Sequence, residues 1–448
     1  MIKLFYLGLV YGVFILPITA QDISLRSEIA NVHKVLNFHS NYINENEKVI
    51  AVIDGGVKAD LSNFHDSFWA NENETSNGKD DDHNGYIDDI WGWNFAEGNN
   101  DVSRNDVGDW HGTPVNSIIN SLLKIDSYDS NPVKLLNVVK GASIESIQQS
   151  LIYIYQLKKL YNQSNGAKGA NIIAINCSWG KEYLFAEDYP EWCAIYDSLG
   201  NEGVLVVSSV SNNHENIDFV GDMPSTCESD FLITVTNSFE DGTKVFDAAY
   251  GLENVDISAT GQNSYTMLNT GIYGYFGGTS AAAPYVSASI GLIYSLPIKE
   301  FQLDLTEKPK ETALFVKKAL IESVYKHKSL EEKTVSGGLL NTFNAVKLIC
   351  DYYNKPHLYN DIFKSSNLLS LYPNPASDKI RLTLESNISK LMKVQILNFN
   401  GQFVIEMNVN VKKGVQNIEL EINSLNTGIY FLTLENTEKR KMLKLVVK

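Results

Sequence analysis

Three short runs, Val49-Ile50-Ala51-Val52-Ile53, Ile172-Ile173-Ala174-Ile175 and Val204-Leu205-Val206-Val207, are apolar at every position. A strand with one face in water alternates apolar and polar residues; one covered on both faces is apolar throughout, as in parallel sheets enclosed by helices. Most of these residues are β-branched, which suits extended backbone and costs rotamer freedom in a helix. Between the first two runs, Val115, Ile118, Ile119, Leu122 and Leu123 fall at i, i+3, i+4, i+7 and i+8, the stripe of an amphipathic helix. The expectation is an α/β domain with a mainly parallel sheet flanked by helices. With 448 residues, 44% of them hydrophobic, the chain is long enough for that core and for a further domain.

The residues that follow these elements carry chemistry. Asp54 ends the first run and Gly55-Gly56 permits a sharp exit, so a carboxylate stands at the carboxyl end of a strand, the edge where open α/β sheets place their sites. His111-Gly112-Thr113-Pro114 puts an imidazole at the start of the amphipathic helix, whose first turn tolerates the proline. Gly278-Thr279-Ser280 opens a second helix, small and apolar on all sides through Ala281-Ala282-Ala283 to Ile290, Leu292 and Ile293. A serine hydroxyl is a weak nucleophile until an imidazole takes its proton, and the imidazole needs a carboxylate to hold its tautomer. Ser280, His111 and Asp54 suit those roles. Each segment alone reads as a turn or a cap; their conjunction in the required order carries the reading. A nucleophile at a helix start also has the helix dipole and its own backbone N–H where negative charge develops.

The order Asp, His, Ser is that of subtilisin, and the three segments together resemble the subtilisin-like serine proteases, or subtilases. The resemblance implies a subtilisin-like fold and a secreted serine endopeptidase that passes through an acyl-enzyme on Ser280. It implies an oxyanion donor in Ser211-Asn212-Asn213, assigned to Asn212, and a substrate-binding segment Ser178-Trp179-Gly180 against which an extended polypeptide pairs as an added strand. No cofactor is required for that chemistry. The chain departs from the family pattern at Gly55, Pro114, Ser211, Asn213-His214, Ala281 and Tyr285. These departures adjoin the reacting groups and motivate a second reading, a catalytically weak or inactive surface protein that binds peptides or partners on a subtilase scaffold.

Asp80, Asp82 and Asn84 alternate, Gly85 follows and Asp88 stands four residues beyond Asn84, resembling the first part of a calcium loop, although position twelve is Trp91 rather than an acid. A structural Ca2+ ion is the expectation there, with a solvated acidic turn as the alternative. Four cysteines allow three full pairings. Cys193 and Cys227 lie in polar surroundings while Cys177 ends a buried strand, so a Cys193–Cys227 disulfide is expected. The 37 Lys and Arg against 53 Asp and Glu leave a formal net charge of −16, which disfavours nucleic acid or an anionic membrane as a partner.

Residues 1–20 read as a signal peptide: Lys3, an apolar stretch from Leu4 to Ile18, then Thr19-Ala20 before polar Gln21-Asp22. The stretch is shorter than a membrane span requires, so no span is expected in the mature form. The remaining divisions are a short extension 21–47, the peptidase domain 48–352, a linker 353–368 and a C-terminal domain 369–448. In the last, Ile380, Leu382 and Leu384 alternate after the turn cluster Tyr372-Pro373-Asn374-Pro375, which predicts a small β-sandwich. Tyr372 to Pro375, Asn398-Phe399-Asn400-Gly401, Leu425-Asn426-Thr427-Gly428-Ile429-Tyr430 and the ending from Lys441 to Lys448 resemble the C-terminal sorting domain of the type IX secretion system. That resemblance implies outer-membrane secretion machinery as a partner, and secretion or surface attachment in a Gram-negative bacterium.

Overall fold

The structure, a computed structural model, describes residues 32–33, 35–36, 47–58, 64, 66–103, 111–124, 133–360, 367–386, 390–398, 402–412, 414–435 and 440–448. The predicted signal peptide and most of the extension lie outside them. The chain divides into two compact units between Tyr353 and Asn354.

A nine-stranded sheet organises the first unit. In chain order its strands are β1 (Lys48–Asp54), β2 (Gly92–Asn94), β3 (Val133–Val139), β4 (Ile172–Cys177), β6 (Leu205–Ser209), β8 (Leu232–Ser238), β9 (Ile257–Thr260), β12 (Tyr325–Lys326) and β13 (Gly338–Leu339), with the short β5 (Lys181–Glu182), β7 (Asp222–Met223) and the hairpin β10 (Ser264–Met267) and β11 (Tyr273–Phe276) outside it. The spatial order is β12-β13-β9-β8-β6-β4-β1-β3-β2, and every neighbouring pair is parallel except β12 with β13. Strands β1, β4 and β6 are buried at every position, as their unbroken apolar runs require. Their registers align the carboxyl ends: Ile53 lies opposite Cys177, and Cys177 opposite Ser208. Asp54, Ser178 and Val210 therefore leave the sheet side by side.

Helices α1 (Gly112–Leu123), α2 (Ile144–Gln163), α3 (Pro190–Asn201), α4 (Ile217–Val220), α5 (Thr279–Tyr294), α6 (Lys299–Glu307), α7 (Pro309–Glu322) and α8 (Thr342–Tyr352) complete the unit. Helix α5 is buried on nearly all sides, so its small residues Ala281, Ala282, Ala283 and Ala288 let it lie close against the sheet. Near its far end Gly291 packs against Ile50 of β1 and against Leu123, the last residue of α1. The two helices thus run alongside in the same direction, and their starts lie at one end.

The second unit consists of two antiparallel sheets, β14 (Asn367–Tyr372), β15 (Lys379–Ser386) and β18 (Gly414–Glu421) in one, and β16 (Lys390–Leu397), β17 (Phe403–Val411), β19 (Gly428–Glu435) and β20 (Arg440–Val447) in the other. The alternating Ile380, Leu382 and Leu384 of β15 share one core with Val394 and Ile396 of β16, Leu432 and Leu445. This is the expected sandwich. Among the described residues, no single helix is long and apolar enough to cross a membrane.

Candidate functional site

Asp54, at the end of β1, is 5% exposed. Its Oδ1 accepts the Gly55 amide at 2.7 Å and lies 2.9 Å from His111 Nδ1, with Oδ2 at 3.1 Å. An ionised carboxylate only accepts, so Nδ1 carries the hydrogen and the ring's tautomer is set. The imidazole is half-exposed, and the Phe276 ring meets it edge-on at 5.4 Å.

Ser280 occupies the first turn of α5, at the same end as His111. Its hydroxyl donates to the Ser178 carbonyl at 3.1 Å, and Ser178 Oγ donates back to the Ser280 carbonyl at 2.8 Å. The second bond has a cause four residues on. Pro284 has no N–H, so the Ser280 carbonyl lacks its helical partner and Ser178 replaces it. Ser178 is held in turn by Asn176 Nδ2 at 3.0 Å, and Asn176 Oδ1 accepts Ser287 Oγ at 2.8 Å. The chain of side chains from α5 through β4 back to α5 fixes Ser280 against the sheet edge. Trp179 is anchored by its indole N–H to the Ile53 carbonyl at 2.7 Å, with Lys140 Nζ 5.1 Å over its ring.

Asn212 follows β6. Its Oδ1 accepts the Thr279 amide at 2.9 Å, while the Thr279 hydroxyl donates to the Val210 carbonyl. A backbone N–H needs an acceptor, so that atom is the carbonyl oxygen and the Nδ2 hydrogens face away as donors. Gly278, at φ +86°, makes this approach possible: a Cβ there would stand 2.7 Å from Asn212 Oδ1. Asn213 and His214 are exposed beside it, His214 Nδ1 lying 2.6 Å from the Phe246 carbonyl. The sequence alone assigned no supporting role to Thr279, Asn176, Ser287 or Pro284. It also missed Asp222, a fully buried acid whose Oδ2 accepts the Ser211 amide at 2.9 Å and whose carboxyl is pushed up to about 7 by burial.

In the acidic loop the structure regroups the expected ligands. Carboxylate oxygens of Asp80 and Asp82 lie within 4.8 Å of one another and of Glu74, a buried acid not anticipated. Asn84 donates its amide to both Asp80 and Asp82. Asp88 is not part of this group: its carboxylate accepts the amides of Asn77 and Gly78 at 3.0–3.1 Å, because the turn at Asn77 offers it two unpaired N–H groups. Asp89, next in line, accepts Tyr153 Oη at 2.7 Å and is raised to about 6 by burial. Cys193 of α3 is bonded to Cys227, while Cys177 and Cys350 are buried free thiols.

Comparison with known proteins agrees with this architecture. The family model described as "Subtilase family" matches residues 45–343, and the one described as "Secretion system C-terminal sorting domain" matches residues 370–448. Subtilisin-like protease 1 of Plasmodium berghei is 28% identical over 329 residues, covering 66% of this chain and 49% of that protein. Its namesake in Plasmodium vivax is 24% identical over 334 residues, covering 69% of this chain and 48% of that protein. The chain thus spans about half the length of these curated relatives. The solved A-subunit of the AB5 toxin from E. coli shares the fold at 18% identity, with a TM-score of 0.51 over 74% of this chain and all of that one. With the family's pattern running from just before β1 into α8, this chain belongs to the subtilase family of serine proteases and carries a secretion sorting domain at its C-terminus.

Proposed function

We propose that this chain is a secreted serine endopeptidase in which Ser280 attacks the substrate carbonyl, His111 takes the hydroxyl proton and Asp54 holds the imidazole. The observation that carries the reading is the Asp54–His111 pair at 2.9 Å, standing at the sheet edge and helix end where Ser280 also stands. With Nδ1 bound to the carboxylate, Nε2 is the nitrogen that receives the proton. The oxyanion is held by Asn212 Nδ2 and by the Ser280 amide, which lies in a helical turn with no carbonyl behind it. His111 returns the proton to the leaving amine, and water activated by the same ring then hydrolyses the acyl-enzyme. The polypeptide lies extended along Ser178-Trp179-Gly180.

One observation favours the second reading, an inactive scaffold that binds peptides. A hydroxyl has one hydrogen, and in this structure Ser280 gives it to the Ser178 carbonyl. A fluorophosphonate probe decides. Labelling of the folded protein that disappears in Ser280→Ala and falls sharply in His111→Ala supports the peptidase; folded protein that never labels sinks it. The C-terminal match supports export through the type IX machinery: removal of residues 354–448 should leave the protein inside the producing cell, and its unaltered release would refute this. The span of Glu74, Asp80 and Asp82 suits oxygens around one Ca2+, each within about 2.6 Å of the ion. Added Ca2+ should raise the Tm and EGTA lower it; an unchanged Tm removes the ion.

A further inference from the structure

The opposite edge of the large sheet, where β1 and β4 begin, carries a cavity of about 320 Å³ that the peptidase reading does not use. Lys48, the first residue of β1, and Lys158 of α2 line it and are only 4% and 5% exposed, while the exposed Asn165 and Thr306 mark its mouth. Lys48 begins β1 and Asp54 ends it. At about 3.3 Å per residue, the cavity therefore stands about 20 Å from the Asp54–His111 pair and is a separate place in the fold.

Burying an ammonium group is costly unless an anion or enough acceptors meet it. Lys158 Nζ donates to Asn171 Oδ1 at 2.9 Å and stands 5.4 Å from the centre of the Tyr161 ring, which leaves hydrogens to spare. Lys48 makes no side-chain hydrogen bond or ion pair among the described residues, and burial alone holds its ammonium down to about 8. Lys158 is held down to about 7, chiefly by burial, with Glu202 opposing that shift and Lys48 adding to it. Glu202 is the one acid in the lining, and its Oε2 already accepts Asn162 Nδ2 at 2.7 Å. Tyr294, the last residue of α5, also lines the cavity, and its buried hydroxyl has no hydrogen-bond partner. Two ammonium groups against one carboxylate leave a positive charge, in a chain whose net charge is −16. What the lining lacks is an acceptor that carries negative charge, and an oxyanion supplies both. The volume exceeds that of one such group, and Ile173, Leu305 and Pro309 give the remainder apolar walls.

We infer that this cavity binds a small organic molecule through a phosphate or carboxylate group held by Lys48 and Lys158. Inorganic phosphate and, separately, succinate are titrated into the full chain, with sodium chloride keeping the ionic strength constant. At saturation the better of the two should raise the Tm by about 2–4 °C, and the one that binds more tightly names the group. Lys48→Met and Lys158→Met, which keep a long side chain without its charge, should each weaken that binding at least about tenfold. Lys318→Met, at an exposed lysine of α7, should leave it unchanged. Binding that survives either cavity substitution overturns the inference, as does the lack of any saturable shift beyond that of sodium chloride. Should a Met variant fail to fold, crystals of the unaltered protein grown with sodium tungstate decide. An anomalous peak between Lys48 and Lys158 supports the site, and its absence there refutes it. Neither readout involves Ser280, so this inference stands or falls apart from the peptidase reading.

Discussion

At the scale of single residues, the site depends on groups whose orientation is fixed by other groups. Asn212 is aimed by Thr279, whose backbone amide donates to its carbonyl oxygen. Asn212→Ala should therefore lower kcat by about 10²–10³ with KM little changed, as expected for a donor used only in the transition state; a loss confined to KM would contradict that role. Asp222 makes a prediction about pH. Its ordinary value of 3.8 is raised to about 7 in the folded chain, so between those limits the native state keeps a proton that the unfolded state has released. The stability this group contributes is whole below about pH 4 and is lost as pH rises to 7, at about 1.4 kcal/mol per pH unit. Asp222→Asn should remove that slope, as denaturant unfolding at pH 5, 6, 7 and 8 would reveal, and an unchanged slope would refute it. Asp54, His111 and Ser280 could be named as candidates because each sits in a short segment with its own local signature, and Asn212 was named through the family resemblance. Asp222 and Glu74 were not, since nothing beside them in the chain distinguishes a buried acid from a solvated one.

At the scale of elements, α5 shows how one sequence choice propagates. Pro284 removes an N–H, the orphaned Ser280 carbonyl turns to Ser178 Oγ, and β4 is thereby tied to the helix that carries Ser280. Ser178→Ala should leave that carbonyl unpaired and destabilise the fold by about 1–3 kcal/mol, measurable as a lower Tm. A neutral effect would mean the bond is dispensable. The Cys193–Cys227 bond joins α3 to the chain before β8 across 34 residues. Closing a loop of that length is worth about 3–4 kcal/mol through the unfolded state, so Cys227→Ser should lower the denaturation midpoint accordingly. The strands β1, β4 and β6 and the stripe of α1 were readable from periodicity alone. The pairing of β5 with β7 was not: two-residue strands have no period, and their partners lie some 40 residues apart.

At the scale of the whole molecule, the two units have separate cores. A protein ending at Tyr353 should unfold cooperatively and react with fluorophosphonate as the full chain does; loss of both would show that the sandwich is needed for the peptidase unit to fold. By itself, the sequence determined which segments must be covered on both faces, which helices have one apolar stripe, and which residue types stand at their ends, because local periodicity and side-chain chemistry need no knowledge of neighbours. Only the tertiary structure decided who meets whom. It placed Asp54 against His111 across 57 positions, Ser178 against Ser280 across 102 and Glu182 opposite Asp222 across 40. Such contacts follow from strand order and helix packing, in which every element's position depends on all the others.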